Sequence, residues 1–311
     1  MTDSSSGIVD CAIVGGGPAG LTAALYLARF RRSVIVIDAG ESRAGLIPIV
    51  RNLCGFESGI AGHALIDTMR RQVMSYDVLF YRALVTAARV ADHVFEVSYR
   101  RRDSTQTPLT LPARRMLLAS GIRDQLPPFA DAAKLTQRGL LRLCPICDGY
   151  EAQDQCVAIV GPAKRALSHA LFFRTFARQV AVVASDMDSL SDDDRRAANE
   201  RSLRLIPLGS IETPGHTEDK WHITGVDGHK SAFDAVYPVM GCAAQSAWFD
   251  NFRIERDTTG MIVTDKHQRT SVEGLYAAGD LVNSLNQISV ACGEGAVAAS
   301  SIHSSLPPNP L

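Results

Sequence analysis

A glycine-rich turn near the N-terminus constrains the fold of this chain more than any other feature. Residues 8–14 form an apolar run rich in β-branched residues, which predicts a buried parallel strand. The sequence GGGPAG follows at 15–20, residues 21–30 have helical composition, and residues 34–37 predict a second buried strand. Strand, glycine turn, helix and strand in this order are typical of a dinucleotide-binding unit.

A dinucleotide-binding turn needs glycine at particular positions for physical reasons. We expect Gly15 to allow the tight turn, Gly17 to let a pyrophosphate approach the backbone, and Gly20 to let the helix pack on the strand. Asp38 ends the second strand, 18 residues beyond Gly20, where it can accept hydrogen bonds from an adenosine ribose. The predicted cofactor contacts in this region are Gly15, Gly17, Pro18, Ala19, Gly20, Asp38, Ala39 and Gly40.

The far end of the chain decides between FAD and NAD, since both fit the turn. Residues 274–280, GLYAAGD, predict a short strand that leads into a turn, and a helix rich in small residues follows at 291–301. Asp280 can reach a ribityl chain, and the N-terminus of that helix would point at the pyrimidine side of a flavin, where negative charge develops on reduction. The sequence therefore predicts FAD as the first cofactor.

The hexapeptide CPICDG at 144–149 carries the reactive chemistry of the chain. Cys144 and Cys147 have the spacing of a small disulfide, and Asp148 can handle the proton that thiol exchange releases or takes up. Zinc sites use the same spacing, but a structural zinc site needs two further Cys or His ligands, and the sequence has no second CxxC or HxxxH. We predict a redox dithiol and no metal.

Length and composition limit the classes of protein that fit. At 311 residues the chain exceeds the size at which one hydrophobic core keeps growing, so two domains are expected. The net charge of -1 gives no reason to expect nucleic acid. Because no apolar leader and no run of about 18 apolar residues occurs, we expect a soluble cytoplasmic protein without a membrane span. Seven cysteines, scattered except for one close pair, fit such a reducing compartment.

Five motifs together resemble one known family. GGGPAG, Asn52 with Gly55 and Phe56, ASG at 119–121, CPICDG, and RTSVEGLYAAGD at 269–280 are similar in order and spacing to the low-molecular-weight thioredoxin reductases. The resemblance implies an α/β fold of two dinucleotide-binding, Rossmann-like, three-layer domains, the second inserted into the first. It also implies a homodimer.

The resemblance assigns further roles by position. It implies that Cys147 faces the flavin and that Cys144 attacks the partner. Asn286 stands where the family usually has arginine, and Cys54 stands where it usually has proline, either as a redox group near the flavin or as a small buried filler. The further FAD contacts that it implies are Asn52, Val85, Ala119, Ser120, Gly121, Gly279, Asp280, Asn286, Gln287 and Ile288.

Two linkers mark the expected domain boundaries. We expect an FAD-binding domain at 1–120 plus 248–311 and an inserted domain with the CxxC at 121–247. The prolines of LPPF at 126–129 stiffen the exit, and the chain returns at 241–246. Two such linkers permit one domain to rotate on the other, a motion that the family uses to expose its dithiol.

A second glycine turn argues against NADPH as the electron donor. Residues 157–160 predict a buried strand, and GPAKRA follows at 161–166, so Ala163 replaces the middle glycine and Pro162 removes one N–H donor. The next strand leads to Asp186 and Asp188, where an NADPH-dependent relative would carry an HRRxxxR cluster. We expect the β-carbon of Ala163 and the two carboxylates to disfavour NADPH and its 2′-phosphate.

Three interpretations of this second site stay open. The pocket is empty and the fold only carries the dithiol, or it binds NADH through an unphosphorylated ribose, or it holds a second FAD. Branches of the family that lack the NADPH motifs include diflavin-linked disulfide oxidoreductases and enzymes fed by ferredoxin. The chain resembles these branches more than the NADPH enzymes, so a ferredoxin-like donor or another protein is expected.

The predicted activity is FAD-dependent disulfide oxidoreduction. Electrons would pass between the flavin and the predicted catalytic residues Cys144, Cys147 and Asp148, and then to or from a protein or small-molecule disulfide or dithiol. One alternative is a dithiol oxidase that runs the same cysteines in reverse with oxygen as acceptor. Another is a non-enzymatic flavoprotein that senses redox state, against which the intact CPICDG argues.

Overall fold

The computed structural model describes residues 7–102, 106–129, 131–215, 219–244, 248–282 and 285–309. Its chain divides into two compact units. The first comprises Met1–Gly45, Ile60–Arg123 and Ala244–Leu311, and the second comprises Leu46–Gly59 and Asp124–Ala243. Part of the expected return linker, residues 245–247, lies outside the described residues.

The first unit begins with the predicted strand, helix and strand. These are β1 (Val9–Val14), α1 (Pro18–Arg29) and β2 (Val34–Asp38). Helix α1 begins at the proline because its fixed φ suits the first turn, where its missing N–H costs no hydrogen bond. The elements that follow are α2 (Gly62–Met74), β3 (Leu79–Arg82), β4 (Leu84–Ala91), β5 (Val94–Arg100) and β6 (Leu109–Leu118).

The second unit is built around a six-stranded sheet. Its elements, together with the strands at its two boundaries, are β7 (Ile122–Asp124), α3 (Ala132–Gln137), α4 (Pro145–Asp148), β8 (Cys156–Val160), α5 (Ala163–Phe173), β9 (Gln179–Ala184), α6 (Asp192–Glu200), β10 (Arg204–Glu212), β11 (Trp221–Gly225), β12 (Lys230–Phe233), β13 (Ala235–Pro238) and β14 (Cys242–Ala244). The sheet order is β12-β11-β10-β9-β8-β13, and β7 pairs with β14 as a separate two-stranded sheet. The four strands β10, β9, β8 and β13 run parallel, as expected of a dinucleotide fold.

The first unit is completed by β15 (Leu275–Ala277) and α7 (Ile288–Ser305). Its sheet has the order β3-β2-β1-β6-β5-β4, with β15 paired to β6. In the register, Val14 lies beside Ile37 and Leu118, and Leu118 lies beside Ala277. Parallel strands that end at one level open a crevice at that edge, so residues 15–20, 119–121 and 278–280 begin at the same edge of the sheet.

Apolar clusters cover both faces of each central sheet. On β1, Ile13 belongs to the cluster that contains α1 and α7, whereas Val14 belongs to the cluster on the opposite face. On β8, Ile159 and Ala158 likewise belong to two different clusters, one on each face of the sheet. Burial on both faces explains why these strands appear in the sequence as continuous apolar runs. The predicted α/β fold with two three-layer dinucleotide units is confirmed.

Candidate functional site

The first glycine turn is packed so tightly that two of its positions exclude any side chain. Gly15 has φ +113°, and a β-carbon there would lie 2.2 Å from the backbone oxygen of Ala119. A β-carbon at Gly20 would lie 2.0 Å from the backbone oxygen of Gly15. Contacts below 3.0 Å do not occur for real β-carbons, so both glycines are required for the turn and for the helix packing predicted from the sequence.

Gly17 is different because the space above it is open. Outside its adjoining backbone, the one described atom within 4 Å of a β-carbon at Gly17 would be Ser42 Oγ, at 3.4 Å, and the φ of −83° suits any L-residue. Gly17 is also the N-cap of α1 and has no side chain to cap the helix. Bare backbone at the N-terminus of a helix suits an anionic pyrophosphate.

The carboxyl group of Asp38 is buried at the end of β2. It is 5% exposed, its Oδ1 accepts from the Gly16 N–H at 3.1 Å, and its Oδ2 lies 3.4 Å from Arg70 Nη2. Ala39 and Gly40 help to line an adjacent cavity of about 660 Å³. That volume falls in the range of small-molecule sites, roughly 300 to 1,000 Å³. The carboxylate has further lone pairs for ribose hydroxyls.

The ends of β6 and β15 add polar groups along the same sheet edge. Ser120 Oγ is buried and has no hydrogen-bond partner within the described part of the chain. The Gly279 N–H donates to Glu294 Oε2 at 2.7 Å, which ties this turn to α7. Asp280 Oδ2 lies 3.7 Å from Arg43 Nη1. An orphaned buried hydroxyl is costly unless a ligand satisfies it.

Helix α7 begins next to this turn and packs closely on α1. A β-carbon at Gly295 would lie 2.3 Å from the backbone oxygen of Ala19, so glycine is needed for the contact. The helix begins at Ile288, three residues before the predicted start at 291, with Gln287 as its N-cap. Asn286, Gln287 and Ile288 are half-buried at its N-terminus.

These residues fit a flavin dinucleotide. The bare backbone of Gly17, the unsatisfied Ser120 hydroxyl and the N-terminus of α7 are groups that a bound dinucleotide can use. FAD, when bound, supplies a two-electron carrier. Two further predicted contacts stay predictions: Val85 is 5% exposed in the core of the first unit, and Asn52 is exposed in the segment that groups with the second unit.

Cys144 and Cys147 form a disulfide in the second unit, with their Cα atoms 5.3 Å apart. Cys144 is the N-cap of α4 and Pro145 is its first residue, a position that the fixed φ of proline suits. The turn is held by hydrogen bonds from the Cys147 N–H to the Cys144 carbonyl and from the Gly149 N–H to the Pro145 carbonyl. Cys54, by contrast, is exposed and is not in a disulfide.

Asp148 follows Cys147 and is largely buried. Its Oδ1 accepts from the Tyr237 hydroxyl at 3.0 Å, and Arg142 Nη1 donates to the oxygen of the same hydroxyl at 3.1 Å. Burial raises the pKa of Asp148 to about 6, while the charge of Arg142 and the Tyr237 hydrogen bond oppose the rise and Glu151 adds to it. A carboxyl with a pKa near neutrality can both give and take a proton.

Arg142 and Tyr237 were not predicted from the sequence. Tyr237 lies 89 residues beyond Asp148, and neither residue belongs to a motif. A tyrosine in the apolar strand sequence AVYP was the available signal, because a buried tyrosine needs a partner for its hydroxyl.

The second glycine turn repeats one contact of the first. The Ala163 N–H donates to Asp186 Oδ1 at 2.9 Å, just as the Gly16 N–H donates to Asp38. One expectation needs correction: the β-carbon of Ala163 does not project over the turn, because Ala163 is 0% exposed and packs in the core of the unit. In the second turn Pro162 has no N–H, and the Ala163 N–H is bonded to Asp186.

Comparison with known proteins agrees with this geometry. A family profile described as pyridine nucleotide-disulphide oxidoreductase matches residues 9–295. The chain belongs to this family. The pyridine nucleotide-disulphide oxidoreductases that it matches are thioredoxin reductase-like FAD enzymes, so the chain is an oxidoreductase and a flavoprotein of that type.

Relatives match over almost the whole length of this family member. The thioredoxin reductase of Peptoclostridium acidaminophilum is 28% identical to this chain, and the alignment covers 94% of this chain and 95% of the relative. The crystal structure of thioredoxin reductase from Streptococcus pyogenes has a TM-score of 0.82 at 27% identity and covers 96% and 98% of the two chains. The structure of HlmI has a TM-score of 0.84 at 29% identity and covers 96% and 92%.

Among the described residues, no helix combines the length and the apolar character that crossing a bilayer requires.

Proposed function

We propose that this protein is an FAD-dependent disulfide oxidoreductase that exchanges electrons between the flavin and the Cys144–Cys147 disulfide and does not use NADPH. The observation that carries the proposal is the disulfide itself, next to a carboxyl whose pKa is about 6, in a chain that also folds a dinucleotide unit. The FAD contacts are the residues at the ends of β1, β2, β6 and β15 and at the start of α7.

The partner is a protein or small-molecule disulfide or dithiol. Several relatives are named thioredoxin reductases, which supports a protein disulfide of that kind. Ile146 lies between the two cysteines and Tyr150 follows the motif; they are 56% and 74% exposed, so they offer apolar surface to a docking protein. A ferredoxin-like protein is the proposed electron donor, and a homodimer is the proposed assembly.

The dithiol chemistry follows from the three residues of the motif. In the reducing direction, the Cys144 thiolate attacks one sulfur of the external disulfide, and the other partner sulfur leaves as a thiolate. Cys147 then attacks Cys144 Sγ, which reforms the Cys144–Cys147 bond and releases the second partner thiolate. Asp148 gives or takes the proton that accompanies each change of a thiol to a thiolate.

The reverse direction is the second candidate. A dithiol oxidase would use the same cysteines to oxidise an external dithiol, with oxygen as the final acceptor. A carboxyl with a pKa of about 6 can serve this direction as well, since its carboxylate can accept the proton of an incoming thiol. Oxygen consumption that depends on an added dithiol distinguishes the oxidase from a reductase.

Replacement of each cysteine by serine tests the proposed roles. Cys147→Ser should abolish any long-wavelength charge-transfer absorption of the two-electron-reduced protein, because that absorption needs a thiolate beside the flavin. Cys144→Ser should retain or strengthen it, since the Cys147 thiolate can no longer close the disulfide. Absorption spectra of the anaerobic, partly reduced variants measure this. Opposite behaviour of the two variants would show that Cys144 is the cysteine that faces the flavin.

A further inference from the structure

Tyr237 lies on β13, the edge strand of the six-stranded sheet, and is 0% exposed. Its ring packs against Phe173 with the ring centroids 4.3 Å apart. Its hydroxyl donates to Asp148 Oδ1 at 3.0 Å and accepts from Arg142 Nη1 at 3.1 Å. The hydroxyl therefore bridges a cation and the carboxyl next to the reactive disulfide.

Arg142 is itself fixed at two further points. Its Nε donates to the Gly139 carbonyl at 2.9 Å, and its backbone N–H donates to the Val236 carbonyl at 3.0 Å. Its guanidinium carbon lies 5.9 Å from the centre of the Tyr237 ring. Because these contacts restrict the guanidinium, they also determine which way the Tyr237 hydroxyl donates.

We propose that Tyr237, held by Arg142, is a positioning residue that orients the Asp148 carboxyl and sets the pH at which it exchanges a proton with the dithiol. The inference deepens the proposed function and rests on the role given there to Asp148. Tyr237 acts through Asp148 and exchanges no proton itself, because burial and the neighbouring Asp148 raise the pKa of its hydroxyl far above neutrality.

Three charged or polar side chains bear on Asp148. Arg142 and Tyr237 stabilise the carboxylate and so lower its pKa, whereas burial and Glu151 raise it. The charge of Glu151 is itself opposed by Arg51, whose Nε lies 3.6 Å from Glu151 Oε1. Loss of the Tyr237 hydroxyl removes one lowering contribution, so the pKa of Asp148 should rise.

The proton step can be observed without flavin or a natural partner. A water-soluble trialkylphosphine attacks Cys144 Sγ, a P–S bond forms, the S–S bond breaks, and the Cys147 thiolate leaves and takes a proton from Asp148. Water then adds to phosphorus, which releases the second thiol and the phosphine oxide. The phosphine loses two electrons and the disulfide gains two, so the reaction balances.

The test is the rate of this reduction between about pH 4.5 and 8, measured by quenched alkylation and mass spectrometry. Dividing each rate by that of Asp148→Asn at the same pH cancels the titration of the reagent. For the wild type, this ratio should be high in acid, where Asp148 carries its proton, and should fall with a midpoint near the pKa of about 6. For Tyr237→Phe the midpoint should lie roughly one pH unit higher.

Two further variants make the result decisive. Arg142→Gln should move the midpoint in the same direction. Tyr76→Phe is the matched control, because Tyr76 also accepts from an arginine, Arg29 Nη1 at 2.7 Å, but lies in the first unit. It should leave the midpoint unchanged.

If Tyr237→Phe and Arg142→Gln both show the same pH midpoint as the wild type, the inference is wrong. A wild-type rate for Asp148→Asn at every pH would overturn it as well. Neither result would contradict the proposed electron exchange with FAD, because a separate reductive titration measures that exchange.

Discussion

Millimolar NADPH should leave the flavin oxidised on a catalytic timescale. After rapid anaerobic mixing we expect no bleaching of the flavin absorption near 450 nm, while dithionite or a low-potential protein donor bleaches it. The expectation rests on the edge of the second sheet where the adenosine half of NADPH would lie. Asp186 and Asp188 are exposed there, and their charge repels a 2′-phosphate.

A cation near this turn already has a partner within the chain. Arg195 reaches the turn, but its Nη2 donates to the Met187 carbonyl at 2.6 Å. Each missing charge-assisted bond costs roughly 1.5 to 3 kcal/mol. Two such losses weaken NADPH binding by about two to four orders of magnitude, because roughly 1.4 kcal/mol corresponds to a factor of ten.

A double variant tests whether the two carboxylates weaken NADPH binding. Asp186→Arg/Asp188→Arg should bind NADPH more tightly than the wild type, with NADH as the control that lacks the phosphate. Fast bleaching of the wild type by NADPH would contradict the account and would indicate that Arg195 releases Met187 to bind the phosphate. Bleaching by NADH alone would identify the second turn as a site for an unphosphorylated nucleotide.

Gly17→Val should abolish most FAD binding without unfolding the chain. The backbone of Gly17 has φ −83°, which valine adopts, and among the described residues the nearest atom to a β-carbon there, outside the adjoining backbone, is Ser42 Oγ at 3.4 Å. The valine would instead occupy the space where the pyrophosphate approaches α1. Loss of two charge-assisted bonds to the pyrophosphate predicts FAD binding weaker by a factor of about 100 or more.

Gly20→Ala provides the contrast. Its β-carbon would meet the Gly15 carbonyl oxygen at 2.0 Å, so this variant should lose stability even as the flavin-free protein. Flavin content after purification and the melting temperature of the flavin-free protein separate the two effects. A Gly17→Val protein that retains a full complement of FAD would show that the pyrophosphate lies elsewhere.

Local patterns allowed the framework of the molecule to be predicted. The strands on either side of α1 are buried on both faces, so their continuous apolar runs were visible in the sequence. The glycines of the first turn and the proline after Cys144 act on their immediate neighbours. Such features depend on few residues, which is why sequence alone located them.

Contacts between distant residues could not be predicted in this way. Tyr237 meets Asp148 because β13 lies beside the segment before α4, where the Arg142 N–H donates to the Val236 carbonyl, and residues 89 positions apart are brought together. The buried position of Ala163 follows from the packing of α5, which the substitution of glycine by alanine does not reveal. The grouping of Leu46–Gly59 with the second unit depends equally on long-range packing.

The electron capacity of the FAD-loaded protein tests the central claim most directly. Anaerobic titration with dithionite should consume about two electrons more per chain in the wild type than in the Cys144→Ser/Cys147→Ser variant, because the disulfide accepts two. Cys54→Ser/Cys242→Ser, which removes two cysteines outside the disulfide, should match the wild type. If the wild type and the Cys144→Ser/Cys147→Ser variant consume equal amounts, the flavin does not exchange electrons with this disulfide, and the proposed function is wrong.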